Sequence, residues 1–249
     1  MPRPNWFDRD NESYARYRPS YPDELLQALC AQAPRSDVAV DVGCGTGQLS
    51  LALASRFDEV YALDPSRSQL QHAPEHPRIE YREASAESMP LDDGTAALMT
   101  AAQAVHWFEL DRFCAEARRV LSPDGVLALI AYGACRLEDR IHPLFESFYL
   151  ETLGPYWSPE RALVDEGYQS LQLPFAELPS LDLEIRAAWA QDQIIGYVGT
   201  WSAVRRARAS GSGDLLDRFA KTFAQALGDP ERRVDIAWPV YVRLFRMSH

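Results

Sequence analysis

Gly43, Gly45 and Gly47 stand at alternate positions behind an acid in the run Asp41-Val42-Gly43-Cys44-Gly45-Thr46-Gly47. A run of this kind lets backbone approach a ligand closely, and a helix opening after it turns free N–H groups toward the bound molecule. A dinucleotide loop requires G-x-G-x-x-G or G-x-G-x-x-A. Counting from Gly43 puts Gln48 at the third position, and counting from Gly45 puts Ser50 there, so neither register fits. Asp41 has the wrong sign for a pyrophosphate and the right sign for a ligand with a cationic end, met directly or through water. Asp64 follows roughly twenty residues later, where an acid at a strand end can accept hydrogen bonds from both ribose hydroxyls. Asp64-Pro65-Ser66 is also good helix-capping chemistry. The glycine loop upstream tips the reading toward ribose.

These residues must be positioned by strands and helices, and the hydrophobic pattern supplies them. Val38–Val42 is a compact apolar run of the buried parallel-strand type. Thr46–Phe57 has helical spacing at Leu49, Leu53, Ala54 and Phe57. Further strands are expected at Glu59–Leu63, Ile79–Arg82, Ala96–Thr100 and Val126–Tyr132. A helix is expected over Leu110–Leu121, followed by a turn at Ser122–Gly125. Alternation of this kind predicts βαβ units: an α/β, Rossmann-like, seven-stranded and mostly parallel sheet with helices on both faces. Residues 134–230 read as a helical cap, with helices near Leu144–Leu153 and Leu215–Leu227, a sheet strand near Leu181–Trp189, and an exposed, mobile loop over Arg205–Gly213. Pro239–Phe245 supplies the last strand. The chain is thus expected to be one domain: residues 1–35 cover the ligand, 36–133 form the binding core, 134–230 the cap and 231–249 the final strand.

The loop, with Asp41 before it, resembles motif I of class I S-adenosylmethionine-dependent methyltransferases, whose cofactor carries an ammonium and a sulfonium. Ala84-Ser85-Ala86-Glu87-Ser88-Met89-Pro90 resembles the family's adenine-binding segment, with Ser85 where many relatives carry Asp. Ala101-Ala102-Gln103-Ala104-Val105-His106-Trp107-Phe108 is similar to one subgroup of the methyltransferase type 11 family, the trans-aconitate methyltransferase-like proteins. Tyr14–Pro22 resembles that subgroup's N-terminal Y-x-x-x-R-P-x-Y-P segment, and Tyr197–Ala203 its late Y-x-x-T-W-S motif.

The resemblance implies S-adenosylmethionine bound by Arg18, Asp41, Gly43, Cys44, Gly45, Gly47, Asp64, Pro65, Ser85, Ala86, Glu87 and Gln103. It implies a methyltransferase that moves a methyl group to a small molecule by in-line displacement, with carboxylate or hydroxyl acceptors favoured. Ionised carboxylates need no base at neutral pH. For a hydroxyl or amine, His106 is the candidate general base. Arg18 suits either the cofactor's carboxylate or an acceptor's. Tyr17, Tyr21, His106, Trp107, Tyr132 and Trp201 are candidate acceptor-pocket residues, with core packing the alternative for the aromatic ones. The rival readings are C- or N-methylation of a quinone-like or amine metabolite, and an S-adenosylmethionine-binding protein without turnover.

Composition narrows the partners. A net charge of −11 argues against general nucleic-acid affinity, because phosphate binding needs clustered Lys and Arg. Cys30, Cys44, Cys114 and Cys135 are scattered with no C-x-x-C pair, so no metal site is expected and a reduced, cytoplasmic setting is. Neither a long apolar span nor a leader segment is visible, and no membrane partner is expected. Monomer and homodimer remain equally compatible with the sequence.

Overall fold

The computed structural model describes residues 17–229 and 231–247; Tyr14, Ala15 and Arg16 of the N-terminal segment lie outside them. The first half alternates as the periodicity requires: α1 (Asp23–Gln32), β1 (Val38–Val42), α2 (Gln48–Leu53), β2 (Glu59–Asp64), α3 (Arg67–Leu70), β3 (Ile79–Glu83), β4 (Ala96–Ala102), α4 (Leu110–Val120) and β5 (Leu121–Tyr132). β3, β2, β1, β4 and β5 are neighbours in that order, every pair parallel. Parallel strands buried on both faces should be continuously apolar, and β4 is buried from Ala96 to Ala101. The expected turn at Ser122–Gly125 is instead the irregular start of β5. There the pairing with β4 shifts between Ala96 and Leu98, and Asp124 adopts φ +62°.

The second half contains β6 (Arg136–Leu137), α5 (His142–Ser147), a π turn (Phe148–Thr152), α6 (Arg161–Asp165), β7 (Ala176–Glu177) and β8 (Leu181–Trp189). It ends with α7 (Gln191–Gly199), α8 (Ser202–Ala209), α9 (Leu215–Leu227) and β9 (Val234–Arg246). Among the described residues the sheet has nine strands, not the expected seven. The reason is β9, whose 13 residues outrun each neighbour. β5 and the two-residue β6 pair along one side of it, β7 and β8 along the other, all antiparallel.

Arg205–Gly213 is also corrected: it is helical through Ala209. Ala203, Val204 and Ala207 form a buried face of α8, and that face rather than the surrounding Arg, Ser and Gly decides the local structure. Among the described residues no helix is long and apolar enough to cross a membrane.

Two apolar layers sandwich the sheet. Leu25 and Leu29 of α1, Leu53 of α2, and Phe145, Phe148, Tyr197 and Trp201 of the cap fill one side. Phe113, Ala117 and Val120 of α4, with Tyr168, fill the other. Trp201 belongs to the first layer: its ring centroid lies 5.5 Å from Phe145, 5.4 Å from Tyr149 and 5.4 Å from Tyr197.

Candidate active site

A cleft of about 510 Å³ opens at the carboxyl ends of β1, β2, β4 and β5, the edge at which open α/β sheets bind ligands. Arg18, Tyr21, Asp41, Gly43, Cys44, Gly45, Asp64, Pro65, Gln103, Trp107 and Tyr132 all line it. They come from five separate stretches of sequence, and the parallel sheet brings them to one edge.

Asp41 is the pin of the glycine loop. It is 1% exposed; Ser50 Oγ donates to Oδ2 at 2.6 Å and Thr100 Oγ1 to Oδ1 at 2.8 Å. One carboxylate thereby joins β1, β4 and α2. Burial pushes its pKa up to about 6, although both hydroxyls pull the other way. Asp64 ends β2, 7% exposed. The Gly45 N–H donates to its Oδ2 at 2.9 Å and the Ser66 N–H to its Oδ1 at 2.8 Å. The N-cap of α3 is Ser66, whose hydroxyl accepts the Gln69 N–H at 3.3 Å, and not Asp64; the Asp64 carboxylate shapes the loop and borders the cleft.

Gly43, Gly45 and Gly47 all have positive φ. At Gly43 a Cβ would meet Ala104 Cβ at 2.6 Å, so the loop lies directly against the segment after β4. At Gly47 (φ +79°) a Cβ would meet the Tyr81 hydroxyl at 2.5 Å. Gly47→Ala is expected to destabilise the fold by about 1–3 kcal/mol, from left-handed strain plus this collision. Tyr81→Phe removes an oxygen that is buried without a partner. The double variant should therefore recover part of the loss in urea denaturation, and no recovery would mean the hydroxyl is not the obstacle.

Gln103 adopts φ +55°, a strained conformation for a side-chain-bearing residue. Its N–H donates to Ile130 O and its Nε2 to Tyr132 O, both at 2.8 Å. The side chain is thus committed to β5, leaving backbone toward the cleft. Arg18 donates to the Tyr132 hydroxyl at 3.0 Å, and its guanidinium carbon lies 5.6 Å from the centre of the Tyr197 ring.

Other expected site residues lie elsewhere. Ser85, Ala86 and Glu87 do not line the cleft. Glu87 Oε1 accepts the Glu109 N–H at 2.9 Å, at the start of α4, so that carboxylate closes a helix end. Tyr17 packs against Gly196, where a Cβ would meet its ring at 2.6 Å. Trp201 is inside the aromatic layer already described. His106 is off the cleft as well: its Nδ1 lies 2.9 Å from the Tyr168 hydroxyl. Burial, then the nearby charge of Arg161, push its pKa down to about 3. An imidazole so placed accepts a proton poorly at neutral pH.

The cleft also contains residues the sequence did not single out, among them Gln48, Gln69, Phe108, Glu160 and Arg206. Gln48 directly follows the loop, and its amide nitrogen is buried with no hydrogen-bond partner. An orphan donor beside three positive-φ glycines and a strand-end carboxylate is what a cofactor with a ribose, a carboxylate and a cationic centre would satisfy, so the residues present fit S-adenosylmethionine. Nothing local marks Glu160 or Arg206, because both come from the cap. Among the described residues no three His, Cys, Asp or Glu side chains gather as metal ligands.

This fold and edge site define a class I S-adenosylmethionine-dependent methyltransferase, and the comparisons with known proteins agree. The methyltransferase domain family matches residues 40–129, from β1 to β5. The chain is 32% identical over 256 residues to a Dictyostelium discoideum protein provisionally named a methyltransferase, covering 98% of this chain and 97% of the other. A solved structure from Anaeromyxobacter dehalogenans, provisionally described as a type II methyltransferase, is 42% identical with a TM-score of 0.86 over 94% of this chain and all of that one. A malonyl-acyl-carrier-protein O-methyltransferase of Geobacter sulfurreducens is 32% identical over 131 residues, half of each chain (50% and 49%). The chain belongs to the S-adenosylmethionine-dependent methyltransferase family.

Proposed function

We propose that this methyltransferase acts on a small molecule and places the methyl group on a carboxylate oxygen. The observation that carries this reading is the pairing of two facts: Arg18 and Arg206 line the cleft, whereas His106 does not. In a chain of net charge −11, cations on the cleft wall favour an anionic acceptor. A carboxylate is already ionised at neutral pH and requires no base. The resemblance of Ala101–Phe108 to the trans-aconitate methyltransferase-like subgroup supports an acid as acceptor, and the Geobacter relative, by its name, is an O-methyltransferase.

S-adenosylmethionine supplies a methyl group already activated on sulfonium. What remains for the protein is to bind, align and exclude water. Asp64 and the glycine loop would hold the ribose side of the cofactor, and Gln48 would meet its carboxylate. The backbone at Gln103 would border its methionine portion. Trp107, Phe108 and Tyr132 wall the reaction space and keep it dry.

The second reading, a hydroxyl acceptor with His106 as base, predicts a different variant. A general base contributes about 10²–10⁴ in rate. On the carboxylate reading, His106→Ala lowers kcat less than tenfold and leaves its pH dependence unchanged. A hundredfold fall, with loss of an ionisation from the kcat–pH profile, would establish the hydroxyl reading instead.

A further inference from the structure

Resting on that carboxylate reading, we infer that Arg206 is a specificity-determining residue: it anchors an anionic group of the acceptor other than the one that receives the methyl.

α8 carries Arg205, Arg206 and Arg208, and the helix sorts them into three environments. Arg205 Nη2 turns back to the Thr200 carbonyl at 3.0 Å, across the start of its own helix. Arg208 borders a separate surface cavity beside α7 and α9. Arg206 alone of the three lines the cleft that contains Asp41, Asp64 and the glycine loop. Among its contacts, Nη1 reaches the Tyr156 carbonyl at 3.4 Å, which holds the arm against the cap where the side chain borders the cleft.

The elements that carry the cleft's residues divide by origin. Asp41, Gly43, Gly45, Asp64 and Gln103 come from β1, β2, β4 and their loops, within the stretch shared with the methyltransferase domain family. Arg206 and Glu160 come from the cap, outside it. Cofactor recognition needs the first set; the cap is free to choose the acceptor. A guanidinium bound to the reacting oxygens would draw electron density from the nucleophile, so its favourable use is on a second anionic group. Glu160, which also lines the cleft, carries the opposite charge and discourages a third. The geometry thus selects an acceptor with one reacting carboxylate and one further anion, and ranks its neutral esters and amides below it.

The test uses the full chain with labelled S-adenosylmethionine and a panel of mono-, di- and tricarboxylates, their monoesters, and neutral phenols and amines. The expected result is turnover of acceptors that keep a second anion. In Arg206→Gln the acceptor KM should rise roughly tenfold or more, the loss of one charge-assisted contact. Arg206→Lys should restore part of it, and Glu160→Gln should lower KM for the most highly charged acceptors. S-adenosylhomocysteine affinity, measured by calorimetry, should be unchanged in Arg206→Gln, which also shows that the variant is folded. Three outcomes separate the failures. Turnover of phenols or amines in place of carboxylates overturns the carboxylate reading itself. Turnover of carboxylates with a KM that Arg206→Gln does not move overturns only the role of Arg206. Loss of S-adenosylhomocysteine affinity in a folded Arg206→Gln would make Arg206 a cofactor ligand, and likewise overturn it.

Discussion

Asp64→Ala is expected to weaken S-adenosylmethionine binding by about a hundredfold or more, with a folded protein remaining. Two effects combine. The carboxylate accepts the Gly45 N–H and the Ser66 N–H, so its removal loosens the glycine loop and the entry to α3 before any ligand arrives. It also removes the acceptor that ribose hydroxyls would meet at the end of β2. A hydrogen bond to a charged group contributes about 1.5–3 kcal/mol, and two such contacts correspond to a hundredfold or more in Kd. Calorimetry on the wild type, Asp64→Asn and Asp64→Ala tests this. Asn keeps one acceptor oxygen and should fall between the other two. Wild-type affinity in Asp64→Ala would remove Asp64 from the cofactor site.

Asp41→Asn is expected to reverse the usual effect of disturbing a buried residue, and to do so as a function of pH. Burial raises the Asp41 pKa from its ordinary 3.8 to about 6 in the folded chain. A group whose folded pKa is raised binds its proton more tightly when folded. Its contribution to stability is complete below about pH 3.8 and is lost as the pH climbs through about 6. The shift is a little over two pH units, or about 3 kcal/mol at 1.36 kcal/mol per unit. Relative to the wild type, Asp41→Asn should gain roughly that much stability between pH 4 and pH 7 in the absence of cofactor. Its amide fits between Ser50 and Thr100 without a buried charge. The same variant should bind S-adenosylmethionine more weakly, because an ionised Asp41 beside the cleft favours a cationic ligand. Cofactor binding to the wild type near pH 6 should correspondingly release protons, which calorimetry in buffers of different ionisation enthalpy would measure. Parallel stability curves for the two proteins from pH 4 to 7 would contradict a raised Asp41 pKa.

The legible part of the site is the part built from short sequence. Asp41 through Gly47 lie on one strand-loop-helix unit, and Asp64 closes the next strand, so spacing alone brings them to one edge. Side-chain direction is another matter. His106 sits three residues from Gln103, yet the 3-10 turn Val105–Trp107 sends Trp107 to the cleft and His106 to Tyr168. Glu87 has the position of a cofactor residue in the sequence pattern but is used at the start of α4. Arg206 and Glu160 were out of reach for a third reason: they reach the cleft only through the packing of the cap, which local periodicity does not encode. The extra strands follow the same logic. β6 and β7 exist because β9 offers them an edge, not because two-residue segments have strand propensity of their own.

β9 also sets an order of events during synthesis. Residues 38–132 contain all five parallel strands, and each pairs with a partner made before it or soon after. β5, by contrast, waits for a strand more than a hundred residues downstream, the pairing of Val126 with Arg246 being the extreme. β6, β7 and β8 wait for it too. The cofactor half can therefore begin to assemble on the ribosome, while β5 keeps an open edge until residues 234–246 emerge. For a chain elongating at about 5–20 residues per second, that edge is exposed for on the order of 5–25 seconds. During that interval a nascent chain has most need of a chaperone on its unpaired strand.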